Sequence, residues 1–458
     1  MNLYDGRRVL VAGAAVAGAA AAEAVLRLGA TVTVVDRKES PRTAALEAAG
    51  ARVVITDETP RLDDVDDVVV SPGFAPHHPL PAAAVAAGLD VYSEPELAWR
   101  LRGPGAPPWL AVTGTNGKTT TVTMLAAILR AAGLRTDALG NIGEPLVSAV
   151  AGDGPAGIAA VSGAFEVLAV ELSSFQLYWS STLAPEVGAL LNLADDHLEW
   201  HGDFEAYATA KEAIWRSARS GGTAIGNLDD PLVAAALTRV TGTRIGFSLA
   251  DLRDGWLVTA SGEPIVEADR IRPPGEHNVS NALAACALAA AHGVSVEAMR
   301  NGLTGYTPEP HRNQLVATVD GVGYVDDSKA TNPHAALASL TAYPRIVWVA
   351  GGQLKGVDVE DLVRTVADRL VGAVLLGVDR AEISWALARH APGLPVVDVT
   401  STDDGAMGEV VRAAAALARR GDTVLLAPAA ASKDMFASYA QRGEAFAAAV
   451  HALEPRSP

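Results

Sequence analysis

Val112-Thr113-Gly114-Thr115-Asn116-Gly117-Lys118-Thr119-Thr120 is the stretch from which the rest of the chain is read. It follows an apolar run, Trp109 to Val112, and opens a helical pattern from Thr121 to Ala132. A strand that passes through a glycine loop into a lysine, a hydroxyl and a helix suits a nucleoside triphosphate. Glycines let backbone N–H groups approach phosphate oxygens, and the helix N-terminus adds positive potential. The lysine bridges the terminal phosphates, and the hydroxyl ligates Mg²⁺. Gly114, Thr115, Asn116, Gly117, Lys118, Thr119 and Thr120 are therefore assigned to nucleotide binding. The longer pattern G-x-x-x-x-G-K-[ST] has glycine where this chain has Val112, so the loop is a shorter variant.

Upstream, Val9 to Ala12 reads as a strand, followed by Gly13 and Gly18, an alanine-rich helix to about Leu28, and a strand from Thr31 to Val35 that ends at Asp36. This is the outline of a mononucleotide-binding βαβ unit, with Ala15 at the middle position of the glycine fingerprint. Read alone it is either a ligand site or a tight turn with close helix packing. Val68 to Val70 is another strand, capped by Ser71-Pro72-Gly73. Arg102 to Pro108 is a Gly/Pro-rich linker, and Tyr306 to Pro310 marks a second boundary. Further strands are expected at Val167–Val170, Val187–Leu191, Gly323–Val325, Ile346–Ala350, Ala373–Leu376 and Thr423–Leu426.

Strands alternating with helices imply an α/β fold of three domains with mostly parallel open sheets: Rossmann-like, P-loop ATPase-like and Rossmann-like. The expected domains are 1–103, 104–308 and 309–458. Ligands should then sit beyond the carboxyl ends of the strands.

The balance of 36 Lys and Arg against 53 Asp and Glu gives a net charge of −17. That argues against nucleic acid or an anionic membrane as partner, while leaving room for an anionic small substrate in a local basic pocket. A single cysteine, Cys286, in an alanine-rich stretch suits a reducing compartment, and no run reads as a membrane span. A cytoplasmic protein is expected. His77-His78, in a Pro-rich loop, reads as solvated surface.

Several polar clusters follow strand ends. Glu171-Leu172-Ser173-Ser174-Phe175-Gln176 begins with a carboxylate placed either for Mg²⁺ or as a helix N-terminal acid. Asn192 to Glu199 contains Asp195, Asp196, His197 and Glu199, which read as metal ligands or as a satisfied polar loop; without a cysteine partner, zinc is not expected. Lys211, inside the helical stretch Phe204 to Trp215, reads by itself as a solvated or ion-paired surface residue. Asn278 and Asn281 suit either a purine edge or a helix cap. Asp326-Asp327-Ser328-Lys329-Ala330-Thr331-Asn332, Gly351 to Gly356, and Ala427 to Asp434 followed by Arg442-Gly443 complete the set.

Together these segments resemble the Mur ligase family over essentially the whole chain. G-T-N-G-K-T-T is shared with folylpolyglutamate synthase relatives. Ser71-Pro72-Gly73, Gly140-Asn141-Ile142-Gly143, E-L-S-S-F-Q-L from Glu171, D-D-S-K-A-T-N from Asp326 and A-S-K-D-M-F…R-G-E-x-F are more specific. They look most like the branch that adds D-glutamate to UDP-N-acetylmuramoyl-L-alanine; a sibling Mur ligase or a folylpolyglutamate synthase-like enzyme is the alternative. An oxidoreductase on the N-terminal fold, or a nucleotide-regulated binding protein, is less well supported.

The resemblance implies that ATP phosphorylates a substrate carboxylate to an acyl phosphate, which the amine of the amino acid then attacks. It implies Lys118 on the β/γ-phosphates, Thr119 and Glu171 on a first Mg²⁺, His197 on a second, and Lys211 carbamylated as a further metal ligand. It places Asn278 and Asn281 near adenine, and assigns Arg312, Asp327 and Lys329 to ATP. Asp36, Ser71, Pro72, Gly73, Asn141 and Ser173 would hold the UDP-sugar substrate. Thr331, Lys355, Ser432 and Tyr439 would form the D-glutamate pocket. A monomer is expected. The chain departs from the family pattern at Glu199, where Asp follows D-H-L, and at Tyr439, where some relatives carry Phe.

Overall fold

The computed structural model describes residues 3–103, 105–151, 165–403 and 405–453. They fall into two compact units: Met1–Glu267 with Ser280–Gly305, and Ala268–Val279 with Tyr306–Pro458.

The first unit carries two parallel sheets. One contains β1 (Arg8–Ala12), β2 (Thr31–Asp36), β3 (Arg52–Ile55), β4 (Asp67–Val70) and β5 (Asp90–Ser93), in the order β3-β2-β1-β4-β5. The other contains β6 (Trp109–Thr113), β7 (Ala138–Gly140), β8 (Leu168–Glu171), β9 (Val187–Leu190), β10 (Thr223–Asn227) and β11 (Thr243–Phe247), in the order β11-β10-β9-β6-β8-β7. A hairpin, β12 (Trp256–Val258) and β13 (Pro264–Glu267), follows. β4, β6, β8 and β9 are buried at every position, as expected of parallel strands covered on both faces. One continuous core joins Val9, Val11 and Val69 of the first sheet to Trp109, Leu168 and Val170 of the second. Cys286 is buried, and its thiol is pushed up to about 12 by desolvation.

In both sheets the strand order reverses beside the first strand, at β1 and at β6. Such switch points leave a crevice outside the carboxyl ends, and both glycine turns open there.

The second unit holds one sheet: β14 (Gln314–Val319), β15 (Val322–Asp326), β16 (Ile346–Gly351), β17 (Leu370–Leu376), β18 (Val396–Asp398) and β19 (Thr423–Leu426), in the order β14-β15-β19-β16-β17-β18. β14 runs antiparallel to β15 at the edge of a sheet that is otherwise parallel, in keeping with the expected mostly parallel pattern. The cause is local. Asp320 and Gly321 both adopt positive φ, +53° and +76°, and close a two-residue turn whose twist matches the strands.

Two expectations need correction. Glu171 is the last residue of β8 and not a helix N-terminal acid. His78 is half-buried: its Nδ1 accepts from Leu80 N and caps the helix Pro79–Ala86. Pro104 of the expected linker lies outside the described residues. No described helix is long and apolar enough to cross a membrane.

Candidate active site

The phosphate loop is tied down from several sides. Thr115 N donates to Asn192 O at 3.0 Å, Asn116 N donates to Asn192 Oδ1 at 2.8 Å, and Asn192 Nδ2 returns a bond to Asn116 O at 3.1 Å. Thr115 Oγ1 lies 2.8 Å from the hydroxyl of Tyr207. Gly117 needs to be glycine. Its φ is +82°, and a Cβ there would stand 2.3 Å from Asn281 Oδ1. Asn281 also accepts from Thr121 Oγ1 at 3.2 Å, so it braces the loop from the facing helix. Asn278, three residues earlier, donates from Nδ2 to Pro274 O and lies 2.9 Å from His277 Nε2.

Two lysine amines converge on one carbonyl. Lys118 Nζ donates to Gly114 O at 2.8 Å and to Thr115 O at 2.9 Å. Lys211 Nζ donates to the same Gly114 O at 2.7 Å. Lys211 is only 2% exposed, which overturns its reading as a surface lysine. Its amine lies 4.8 Å from the centre of the Tyr207 ring. Asp203 caps the helix Phe204–Glu212, whose last turn directs Lys211 inward. Desolvation, then repulsion from Lys118, holds the Lys211 amine well below the ordinary lysine range, against attraction from Asp196 and Glu171.

Glu171 is 2% exposed and has both carboxylate oxygens engaged. Oε2 accepts from Thr119 Oγ1 at 2.7 Å, and Oε1 accepts from Asn141 Nδ2 at 2.9 Å. Ser173, two residues on, caps the short helix Ser174–Tyr178 in a capping box with Gln176. His197 precedes the short helix Leu198–His201. It adopts a left-handed φ of +55°, lies 3.5 Å from Asp196 and 3.8 Å from Glu199, and packs on Phe175. Among the described residues no group of three or more His, Cys, Asp or Glu side chains is placed to hold a metal.

Sequence reasoning passed over His201, although it stands four residues after His197. It is buried among Phe175, Trp200 and Tyr207, and its Nε2 lies 3.0 Å from Ser174 Oγ. Burial, then the positive charge of Lys211, lowers it to about 4 and keeps the ring neutral. Tyr207 was missed too; its only signal is its place one helical turn before Lys211.

At the first turn, Asp36 Oδ2 accepts from Ala14 N at 2.7 Å and Oδ1 from Arg37 N at 2.7 Å. Ser71 Oγ donates to Gly13 O at 3.1 Å. Pro72 O accepts from Trp200 Nε1 at 3.1 Å, and Gly73 is exposed. Asp36 and Ser71 thus meet on one turn, while Asn141 belongs to the Glu171 cluster.

In the second unit, Asp327 accepts from Asn313 N at 3.1 Å and from the Ser339 hydroxyl. Burial raises it to about 6, against the nearby Arg312 charge. Arg312 Nε is buried without a hydrogen-bond partner. Lys329 Nζ lies 5.2 Å from the centre of the Tyr439 ring. Three loops follow the adjacent strands β15, β19 and β16 and carry Thr331, Ser432 and Lys355. They are joined by hydrogen bonds from Ala429 N to Ala330 O at 3.0 Å and between Gln353 and Ala431. Lys355 sits at a left-handed φ of +58°.

Comparison with known proteins gives the same picture. Residues 7–93 match the Mur ligase MurD-like N-terminal domain, 112–289 the Mur ligase middle domain, and 311–430 the Mur ligase glutamate ligase domain. The UDP-N-acetylmuramoylalanine–D-glutamate ligase of Thermobifida fusca is 51% identical, over 98% of this chain and 99% of its own. The enzyme of the same name from Streptomyces avermitilis is 48% identical, over 99% and 100%. The MurF ligase of Thermotoga maritima, solved in complex with ADP, shares the fold with a TM-score of 0.59 at 18% identity, over 98% of this chain and 99% of that one. A phosphate loop at the switch point of a parallel sheet, matched family domains in each sheet-bearing region and near full-length relatives at about half identity agree, and the chain belongs to the Mur ligase family.

Proposed function

We propose that this chain joins D-glutamate to UDP-N-acetylmuramoyl-L-alanine with cleavage of ATP, in the cytoplasmic synthesis of peptidoglycan precursors. The names of the near full-length relatives support that reaction. The observation that carries the chemistry is the meeting of two lysine amines, half-buried Lys118 and buried Lys211, on Gly114 O beside a loop built for phosphate.

The substrate's carboxylate oxygen attacks the γ-phosphorus, ADP leaves, and an acyl phosphate results. The amine of D-glutamate then attacks the acyl carbon, the nitrogen loses a proton, and phosphate departs. Such transfers depend on position and charge neutralisation. Lys118 would draw the β/γ-phosphates to the loop. Thr119 and Glu171 offer two oxygens 2.7 Å apart, a donor pair suited to a hard cation such as Mg²⁺, which when bound neutralises phosphate charge. His197 is assigned to a second metal position. Lys211 is poised for carbamylation, because carbon dioxide reacts with the neutral amine that its burial favours.

Asp36, Ser71, Pro72, Gly73, Asn141 and Ser173 are assigned to the UDP-sugar. Asn278, Asn281, Arg312, Asp327 and Lys329 are assigned to the nucleotide, and Thr331, Lys355, Ser432 and Tyr439 to the amino acid. We take the protein to act as a monomer.

Purified protein with ATP, Mg²⁺ and UDP-N-acetylmuramoyl-L-alanine should release ADP and phosphate when D-glutamate is added. L-Alanine with unacylated UDP-N-acetylmuramate should release neither. Stoichiometric product from L-alanine would assign the chain to a sibling activity instead.

A further inference from the structure

Arg442, in the first turn of the helix Tyr439–His451, is 1% exposed. Its guanidinium reaches the loops that follow β15 and β19 and the last residue of β16, from which the third loop starts. Nε donates to Ser328 Oγ at 2.9 Å and Nη2 to Ser328 O at 2.9 Å. Nη1 donates to Ala430 O at 3.1 Å and to Gly351 O at 3.4 Å. Ser328 Oγ in turn donates to Tyr439 O at 2.7 Å, which closes the network back onto the helix. Among the described residues no carboxylate forms an ion pair with Arg442; Asp434 and Asp326 act on it only through their fields. A buried cation without an ion pair is costly, and a hydrophobic side chain of similar volume would fill the space at lower cost. What such a residue lacks is a rigid fork that joins three separate chain segments, and this is what the guanidinium supplies. The backbone is shaped around it: Gly352 has a φ of +134°, and a Cβ there would lie 2.2 Å from Ala431 O and 3.3 Å from Arg442 Nη1.

We propose that Arg442 is the positioning residue of the amino-acid pocket. It sets affinity for the incoming amino acid by fixing the relative placement of the loops that carry Thr331, Lys355 and Ser432. The proposal rests on the assignment of those three residues to D-glutamate under Proposed function. Arg442 acts through the loops, since four of its five N–H donors are taken up by carbonyl and hydroxyl oxygens of the protein.

The test is steady-state kinetics of the full chain with Arg442→Lys, which keeps the charge and loses the fork. The KM for D-glutamate should rise about tenfold or more, since at least one net hydrogen bond's worth of placement is lost. The KM for ATP should rise several-fold less than that for D-glutamate, since only the Ser328 loop also carries the nucleotide residues Asp327 and Lys329, and that for the UDP-sugar substrate should not change. Ser328→Ala, which removes the anchor of Nε, should shift the same constant in the same direction. The double variant should show less than the product of the two single effects. If Arg442→Lys does not fold, Ser328→Ala carries the test. An equal rise in all three KM values, a fall in kcat alone, or an unchanged D-glutamate KM would overturn the proposal. Wild-type protein that makes no product with D-glutamate would instead overturn the functional reading, and this proposal with it.

Discussion

Two glycine turns in the first unit share a topology and differ in the charge that fills them. Each follows a strand at the switch point of a parallel sheet and opens a helix, Val16–Arg27 at the first and Lys118–Ala131 at the second. Each helix start lacks a side-chain cap, so its amide groups are left to other partners. At the first turn, Asp36 takes that place and accepts from Ala14 N. A carboxylate there repels phosphate and favours hydroxyl donors, as the acid at the end of a second strand does for a ribose. At the second turn, the acid at the neighbouring strand end, Glu171, is turned to Thr119 and Asn141, and the Lys118 ammonium supplies positive charge at Gly114, where the buried Lys211 amine also donates. The same strand-turn-helix frame thus carries opposite charge at its two occurrences, and the sign is set by one or two side chains beside it.

The largest effect should come from the cationic turn. Lys118→Ala should lower kcat/KM by about two orders of magnitude or more, because the ammonium stabilises charge that grows on the transferring phosphoryl group. The fold should survive, since the loop keeps its bonds to Asn192 and Tyr207 when the two that Lys118 makes to Gly114 O and Thr115 O are lost. ADP release and thermal unfolding measured side by side check both halves; near-normal turnover would remove Lys118 from the reaction.

Lys211 sharpens the contrast at a smaller magnitude. Lys211→Ala should lose roughly tenfold or more in turnover, the order expected when one oriented group is removed. Acetate should restore part of it by supplying a carboxylate in place of the carbamate. Lys211→Arg should not respond to acetate, since its guanidinium fills the space and stays charged. Burial and Lys118 shift the amine toward its neutral form, and acidification works against that shift and opposes carbamylation. Depleting carbon dioxide at low pH should therefore reduce activity more than at high pH. Equal turnover in wild type and Lys211→Ala would return Lys211 to a packing role.

Asp36 tests the other turn. Asp36→Ala should raise the KM for the UDP-sugar substrate roughly tenfold, as expected when a charged hydrogen-bond acceptor is lost. The KM for ATP should not change. A shift in both would mean that the two turns do not divide the work.

The phosphate loop, the parallel sheets and the strand-end clusters were legible because each rests on a local pattern: apolar runs, glycine at forced turns, and polar residues just past a strand. β14–β15 was legible in principle, since Asp320-Gly321 between apolar runs is a strong hairpin signal. It was lost to the alternation seen elsewhere. Lys211 could not be read from its neighbours. Its helix is nearly half polar, and its burial depends on Gly114 and Tyr207, which lie 97 residues away and one turn away. His201 had its spacing from His197 as a signal, yet its environment is made by Phe175 and Ser174 on another element. Arg442 stood beside the right motif, but its contacts with Ser328 and Gly351 span 114 and 91 residues, beyond any local pattern.

The division between the two turns is tested most directly by calorimetric titration with a non-hydrolysable ATP analogue and Mg²⁺. Wild type, Lys118→Ala and Asp36→Ala would be compared. Lys118→Ala should bind the analogue about tenfold or more weakly, and Asp36→Ala should bind it as wild type does. If Asp36→Ala weakens the analogue as much as Lys118→Ala does, or Lys118→Ala binds it unchanged, the triphosphate is not held by the second turn and the account fails.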